Sequence, residues 1–285
     1  MKHKNLSICL NTGLTLVEML VSMTVILIVF AMVASVFMQT RKISARDQMD
    51  VEIIQNARIG LNEIARLLRM TGYQRDRENG QVALLEAAPF QVIFNANLDE
   101  EEPSSQQRAA LPADSVIPLY DGPPEYTVPM EYTTGAETVW VTLDSSRDGL
   151  VAQDDINDNV GERSTRFNPN DMELIKRINF DRAQPIVSGV IGPYDAEGLP
   201  TNIPPMFQYW RVNADKSFSL LGDEDGNGKL EGDERYFRAI VSQDVLRYIR
   251  RIEITITTQS DHRDPFQPSP YRQVSVSTMV SLRNL

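Results

Sequence analysis

Between Leu14 and Met38 the chain runs for 25 consecutive residues with a single charge, Glu18, and with neither glycine nor proline. Roughly 20 apolar residues suffice to carry a helix across a bilayer, so this stretch is expected to span one, and a purely soluble protein is excluded. From Leu14 to about Met70 there is still no proline and only one glycine, Gly60. Beyond the apolar run, Ile43, Met49, Ile53, Ala57, Leu61, Ile64 and Leu68 recur mainly at three- and four-residue spacing, with Arg46, Asp47, Asp50, Glu52, Arg58, Glu63, Arg66 and Arg69 mostly between them. That spacing puts the apolar side chains on one helical face. The expectation is one continuous helix, greasy all round in its first half and amphipathic in its second. Thr71-Gly72 supplies the stop, since glycine best takes the left-handed turn after a helix. At about 1.5 Å per residue such a rod is on the order of 85 Å long.

Charge and cysteine usage remove several classes of function. After Gly13 the chain carries 26 basic and 39 acidic side chains, the wrong balance for nucleic acid, whose affinity comes from lysine and arginine neutralising phosphates. Cys9 is the sole cysteine, so no disulfide staples the part that follows it. Leu6-Ser7-Ile8-Cys9 faintly resembles a lipoprotein cleavage box, but no apolar stretch precedes it. Of the two histidines, His3 lies before the apolar run and His262 in the polar stretch "SDHRDP" near Asp261 and Asp264. No nucleophile elbow accompanies them and no glycine-rich phosphate loop is present. An enzyme is not expected.

After Gly80 short runs rich in β-branched and aromatic residues predict strands at 81–94, 138–143, 206–221, 235–241, 248–258 and 271–282. In "YIRRIEITITTQ" the residues Ile249, Ile252, Ile254 and Ile256 sit close to alternation, and Val274, Val276 and Met279/Val280 answer them in "RQVSVSTMVSL". This is the pattern of strands with one buried and one polar face. The proline-rich stretches 95–130 and 184–205 are expected to be long surface loops. The fold class is therefore α+β, a long helix whose amphipathic half packs on an antiparallel sheet.

A carboxylate in hydrocarbon costs about 2.5–3.5 kcal/mol on insertion scales, and the nearest basic residue beyond Glu18 is Arg41. Taken alone, Glu18 is best placed at the membrane edge, its side chain reaching water. The residues around it point elsewhere. Gly13-Leu14-Thr15-Leu16-Val17-Glu18, after a short basic leader and before an apolar helix, resembles the class III signal of type IV prepilins. The resemblance implies cleavage by prepilin peptidase between Gly13 and Leu14, N-methylation of Leu14, and neutralisation by Glu18 of the terminal amine of a neighbouring subunit. Leu14 stands where the family usually has phenylalanine. An ordinary secretory signal fits less well, because the apolar run exceeds a typical h-region of about 7–15 residues. Lys2 and Lys4 are matched by Arg41 and Lys42, so orientation rests on the resemblance, which puts the amino terminus in the cytoplasm.

The stretch "IIQNARIGLNEIARLLRMTGYQ" (53–74) and the carboxyl end are similar to the PilW class of minor pilins. That likeness implies a leader at 1–13, a transmembrane and filament-core half-helix at 14–38, an amphipathic half at 39–72 and an extracytoplasmic β-rich domain at 80–285. It implies a pilin-like fold and an inner-membrane, single-pass subunit facing the periplasm and later assembled into a surface pilus. Its partners would be other minor and major pilins, prepilin peptidase and the inner-membrane assembly machinery. The J-type minor pseudopilin of type II secretion shares these ends, and a tip adhesin is a further alternative.

"DEDGNGKLEGDE" (223–234) fits the calcium-loop pattern D-x-[DN]-x-[DN]-G-x5-E without a mismatch. Asp223, Asp225 and Asn227 would offer side-chain oxygens, Lys229 its carbonyl, Glu231 a direct or water-mediated contact and Glu234 a bidentate carboxylate. Gly228 takes the sharp turn. The flanks "FSLL" and "RYFRAIV" are expected to be strands, and a solvated hairpin turn is the alternative. "DSSRDGLVAQDD" (144–155) is a looser copy, aligning Asp144, Ser146, Asp148, the Leu150 carbonyl and Asp155; here the turn is preferred, and Asp154, Asn157 and Asp158 offer a different register.

Overall fold

A computed structural model describes residues 15–75, 81–98, 116–117, 126–127, 136–144, 171–178, 183–193, 201–260 and 271–284. The chain falls into two compact units, Met1–Met49 and Asp50–Leu285. Helix α1 (Leu16–Arg69) begins in the first and ends in the second. In the first unit its large apolar side chains, Leu16 to Met38, are exposed. Among the described residues it is the one helix long and apolar enough to cross a membrane.

The second unit is built on a nine-stranded antiparallel sheet ordered β1-β2-β5-β6-β7-β10-β8-β9, with β11 also paired to β10. The strands are β1 (Leu84–Ala87), β2 (Val92–Ala96), β5 (Glu137–Asp144), β6 (Asp171–Ile178), β7 (Gln184–Ile191), β8 (Phe207–Val212), β9 (Phe218–Leu220), β10 (Ile249–Gln259) and β11 (Gln273–Ser281). A separate two-stranded piece joins β3 (Val116–Ile117) to β4 (Tyr126–Thr127). Strand β10 is long enough to pair with β8 over Ile249–Ile254, meet β7 at Thr258, and pair with β11 along its other side.

The predicted amphipathic face of α1 is buried, but only from Ile53 onward. Ala57, Leu61, Ile64 and Leu68 pack with Val92, Phe94, Val139, Val141, Leu174, Val190, Ile252, Ile254 and Ile256 in one core. Each such side chain contributes about 1.5–3 kcal/mol on leaving water. Ile43, expected on the same stripe, is exposed; it belongs to the first unit, ahead of the residues that have a sheet to cover them. Gly60 lets helix and sheet come close, for a Cβ there would run into the Val187 side chain and crowd Ile256. The helix stops as expected. Gly72 takes φ +75°, its N–H donates to the Asn95 carbonyl at 2.7 Å, and a Cβ would meet the Asn284 carbonyl oxygen at 2.5 Å.

Several expected strands change. The stretch 81–94 is a hairpin, its turn held by the Tyr209 hydroxyl, which lies 2.9 Å from the Ala88 and 3.0 Å from the Gln91 carbonyl oxygen. The stretch 206–221 is likewise two strands, β8 and β9. No strand forms over 235–241, where a 3-10 turn (Gly232–Tyr236) leads to a lone bridge between Ile240 and Ala87. The proposed loop 184–205 contains β7, in the interior of the sheet, with Val187, Val190 and Ile191 buried. Its proline, Pro185, sits second in the strand, near the end where a missing N–H is tolerated. The near-alternation expected of β10 holds only over Ile252–Ile254: from Ile254 to Gln259 every residue is buried. Ile249 and Ile252 both reach the core because a bulge between Ile249 and Arg251 shifts the register.

A charged tie also joins α1 to the sheet. Glu63 accepts both Arg66 N–H groups, Nε at 3.0 Å and Nη2 at 2.9 Å, and the Lys176 ammonium of β6 at 2.8 Å. The bond from Arg66, against some desolvation and with help from Lys176, holds the Glu63 carboxyl down at about 2. A carboxylate depressed in the folded state stabilises fully above its ordinary value and loses that contribution as pH falls toward the folded value. Glu63→Gln is expected to cost about 1 kcal/mol at pH 7 after allowance for solvent screening, with the gap to wild type closing toward pH 2 in urea titrations. Gly60→Ala is expected to lose roughly 1–3 kcal/mol by overpacking against Val187, although alanine is intrinsically the better helix former by about 1 kcal/mol; thermal unfolding in detergent gives the sign.

Candidate functional site

Of the two residue groups singled out by sequence, the first stands at the start of α1. Thr15 occupies the N-cap position: its carbonyl accepts the Met19 N–H at 3.1 Å, the first bond of the helix. Its own N–H and its hydroxyl both donate to Glu18 Oε2, at 2.9 and 3.0 Å. Glu18 N–H donates back to Thr15 Oγ1 at 3.3 Å. This is a reciprocal capping box, and the Thr-x-x-Glu spacing that announces one was missed in the sequence reading. It gives Glu18 a local role, satisfying amides that a helix start leaves without partners. Both bonds to the carboxylate land on Oε2, so among the described residues Oε1 keeps its lone pairs for another donor. Gly13 and Leu14, the proposed processing residues, lie outside the described residues.

The second group is the acidic loop between β9 and the 3-10 turn. It brings three of the expected acidic ligands together: one oxygen each from Asp223, Asp225 and Glu234 lie within 4.8 Å of one another. The backbone builds this convergence. The N–H groups of Gly226 and Gly228 donate to Asp223 Oδ1 and Oδ2, each at 2.8 Å, and Asn227 N–H donates to Asp225 Oδ1 at 2.9 Å. Gly228 adopts φ +80°, the left-handed turn that the calcium-loop pattern assigns to its glycine. Glu234 reaches back across the loop, accepting Glu224 N–H on Oε1 at 2.9 Å and Glu231 N–H on Oε2 at 3.2 Å.

Desolvation pushes the Asp223 carboxyl up, but the amides of Gly228 and Gly226 together with Asp225 and Asn227 outweigh it and hold it below the usual carboxylate range. Asp223 is thus held in its ionised form at the centre of the acidic group. The same bonds close Asx turns and so shape the loop without an ion. Asn227 stands beside the cluster, its Nδ2 donating to Asp225 Oδ2 at 2.9 Å and its Oδ1 accepting Lys229 N–H at 2.8 Å. Glu231 is not one of the three acids of that group. The exit is a 3-10 turn with Glu234 in its first turn, not the expected strand, and that turn is what aims Glu234 inward.

Of the looser copy, Asp144 ends β5, while Ser146, Asp148, Leu150 and Asp155 lie outside the described residues, as do Asp154, Asn157, Asp158 and both histidines. Compared with protein-family models, with curated proteins and with solved structures, the chain finds no match.

Proposed function

We propose that the chain is a minor type IV pilin of the PilW class, a structural subunit that primes filament growth and sits at or near the tip. The observation that carries this reading is an acid in the first turn of an apolar helix that is exposed on every side, directly behind Gly13-Leu14-Thr15. Such a helix needs either lipid or neighbouring helices around it, and a filament core supplies the second once the membrane has supplied the first. Cleavage between Gly13 and Leu14 then leaves a new amine, and Glu18 of an adjacent subunit has an oxygen to receive it. An ion pair of this kind is tolerable in an apolar core because each charge has its partner. The second unit faces the periplasm before assembly and the outside afterwards. The subunit's partners are other pilins, prepilin peptidase and the inner-membrane assembly machinery, and its role is mechanical, not catalytic. The length of the chain and its acidic insertions favour the pilus over the secretion pseudopilus.

The Thr15–Glu18 box makes the decisive experiment sharper than alanine alone. Glutamine serves a capping box as well as glutamate does, but carries no charge. Glu18→Gln is therefore expected to leave the helix start intact and still abolish surface pili, as Glu18→Ala does. Normal piliation in the glutamine variant would reduce Glu18 to a cap. Mass spectrometry of the mature chain is expected to find N-methylated Leu14 at its start, and a retained Met1 would end the prepilin reading.

We propose further that the 223–234 loop holds calcium, which would draw Asp223, Asp225 and Glu234 together with Asn227 and rigidify the outward surface. Hard divalent cations take six to eight oxygens, and extracellular sites of this type bind at ~10⁻⁴ to 10⁻³ M. Calorimetry of the detergent-solubilised chain is expected to show saturable calcium heat in that range, lost in Glu234→Ala. Absence of heat at millimolar calcium would leave the loop as a hydrogen-bonded turn.

A further inference from the structure

Among the described residues, Asn227-Gly228 is the one place where glycine follows asparagine. The amide carbon of an asparagine side chain can close a five-membered ring with the backbone nitrogen that follows it. A side chain on the following residue crowds that ring, and glycine has none. Both residues are exposed, and a Cβ added to Gly228 would meet nothing within 4 Å. Water therefore reaches the pair freely.

The fold of the loop prepares this pair further. Asn227 Oδ1 accepts the Lys229 N–H at 2.8 Å, an Asx turn that curls the side chain toward the chain that follows. That N–H also sits where negative charge develops on the oxygen when the amide carbon is attacked, and a donor already in place lowers the cost of such charge. The Asn227 Nδ2 group, which would leave, is held by Asp225 Oδ2 at 2.9 Å. One bond opposes the attack: the Gly228 N–H is engaged by Asp223 Oδ2 at 2.8 Å. When it opens, Asp223 still accepts the Gly226 and Asn227 N–H groups on Oδ1, and exposed hydrogen bonds of this kind open at little cost.

We propose that Asn227 is a self-modification site, where the chain converts its own amide into aspartate and isoaspartate through a cyclic imide. Hydroxide from solvent removes the Gly228 N–H proton, and the nitrogen forms a bond to Asn227 Cγ. The Cγ–Nδ2 bond breaks, and the amide nitrogen takes a proton from water and leaves as ammonia, which returns the hydroxide. A further water then opens the imide. Breaking the new N–Cγ bond gives aspartate, while breaking the bond to the Asn227 backbone carbonyl gives isoaspartate, whose chain runs through the side-chain carbon. Water is the only co-reactant. The first product places another carboxylate beside Asp225; the second lengthens the backbone and upsets the spacing that brings the Gly228 N–H to Asp223.

The test incubates the full chain, folded in detergent at neutral pH with a chelator present, and follows tryptic peptides by mass spectrometry. The chelator keeps cations off the loop, so the outcome does not depend on the calcium reading. Trypsin releases residues 217–229, in which Asn227 is the only side-chain amide. This peptide is expected to exchange NH for O with time, and fragmentation is expected to find both aspartate and isoaspartate at position 227. The folded chain is expected to convert within about tenfold of the rate in guanidinium, since opening the loop is cheap. Asn213, also near the surface but followed by Ala214, is expected to keep its amide in the peptide 212–216. Gly228→Ala is expected to slow the exchange by roughly tenfold, or about 1.4 kcal/mol of barrier, with thermal unfolding nearly unchanged because the added methyl meets no neighbour. Exchange confined to the unfolded chain, aspartate without isoaspartate, equal exchange at Asn213, or a rate indifferent to Gly228→Ala would each overturn the proposal.

Discussion

The second unit depends on how closely α1 approaches the sheet at Gly60. A helix with any side chain at that position would stand off from Val187 and Ile256, and the residues on either side of it, Ala57, Leu61 and Ile64, would lose their contacts with the strands. Packing weakens steeply when apolar surfaces separate, because a gap of about 0.5–1 Å already forfeits roughly a quarter to a half of each dispersion contact. Gly60 costs helix propensity locally and returns close packing along the whole inner stripe. The Glu63–Lys176 tie, one turn further on, fixes the helix at this approach and adds direction to an otherwise non-directional contact.

The helix was the most legible element. Its length, its switch from apolar all round to amphipathic, and its glycine stop follow from periodicity and from where proline and glycine are absent, and those signals are local. What remained hidden depends on partners far along the chain. Strand β7 looked like part of a loop because the stretch 184–205 is rich in proline, Pro185 within the strand itself, yet Val187 and Val190 are buried, with β6 and β10 paired to the strand on either side. Residues 235–241 have strand composition, but the chain leaves the acidic loop through a 3-10 turn over Gly232–Tyr236. Trp140 and Ile175 are buried beside Val139 and Leu174, so β5 and β6 show no alternation from which to infer which face meets the helix.

The two site readings fared unequally for the same reason. The order of acids in 223–234 is a local code, and backbone amides fold it into a ring of oxygens at Asp223, Asp225 and Glu234. Glu18 was legible as an anomaly, but its bond to Thr15 was not weighed. The capping box and the intersubunit pair are compatible because a carboxylate has two oxygens, and the box engages one of them.

The Thr258 hydroxyl of β10 donates to the Ile53 carbonyl of α1 at 3.4 Å, across 205 positions of sequence. The long helix is made well before β10 and β11, against which it buries. During synthesis the inner stripe from Ile53 to Leu68 therefore has no native surface to cover it, and contacts of such long range form slowly. A chain so ordered closes this contact only once β10 has been made, so the inner stripe of the helix waits for its cover through the synthesis of most of the sheet.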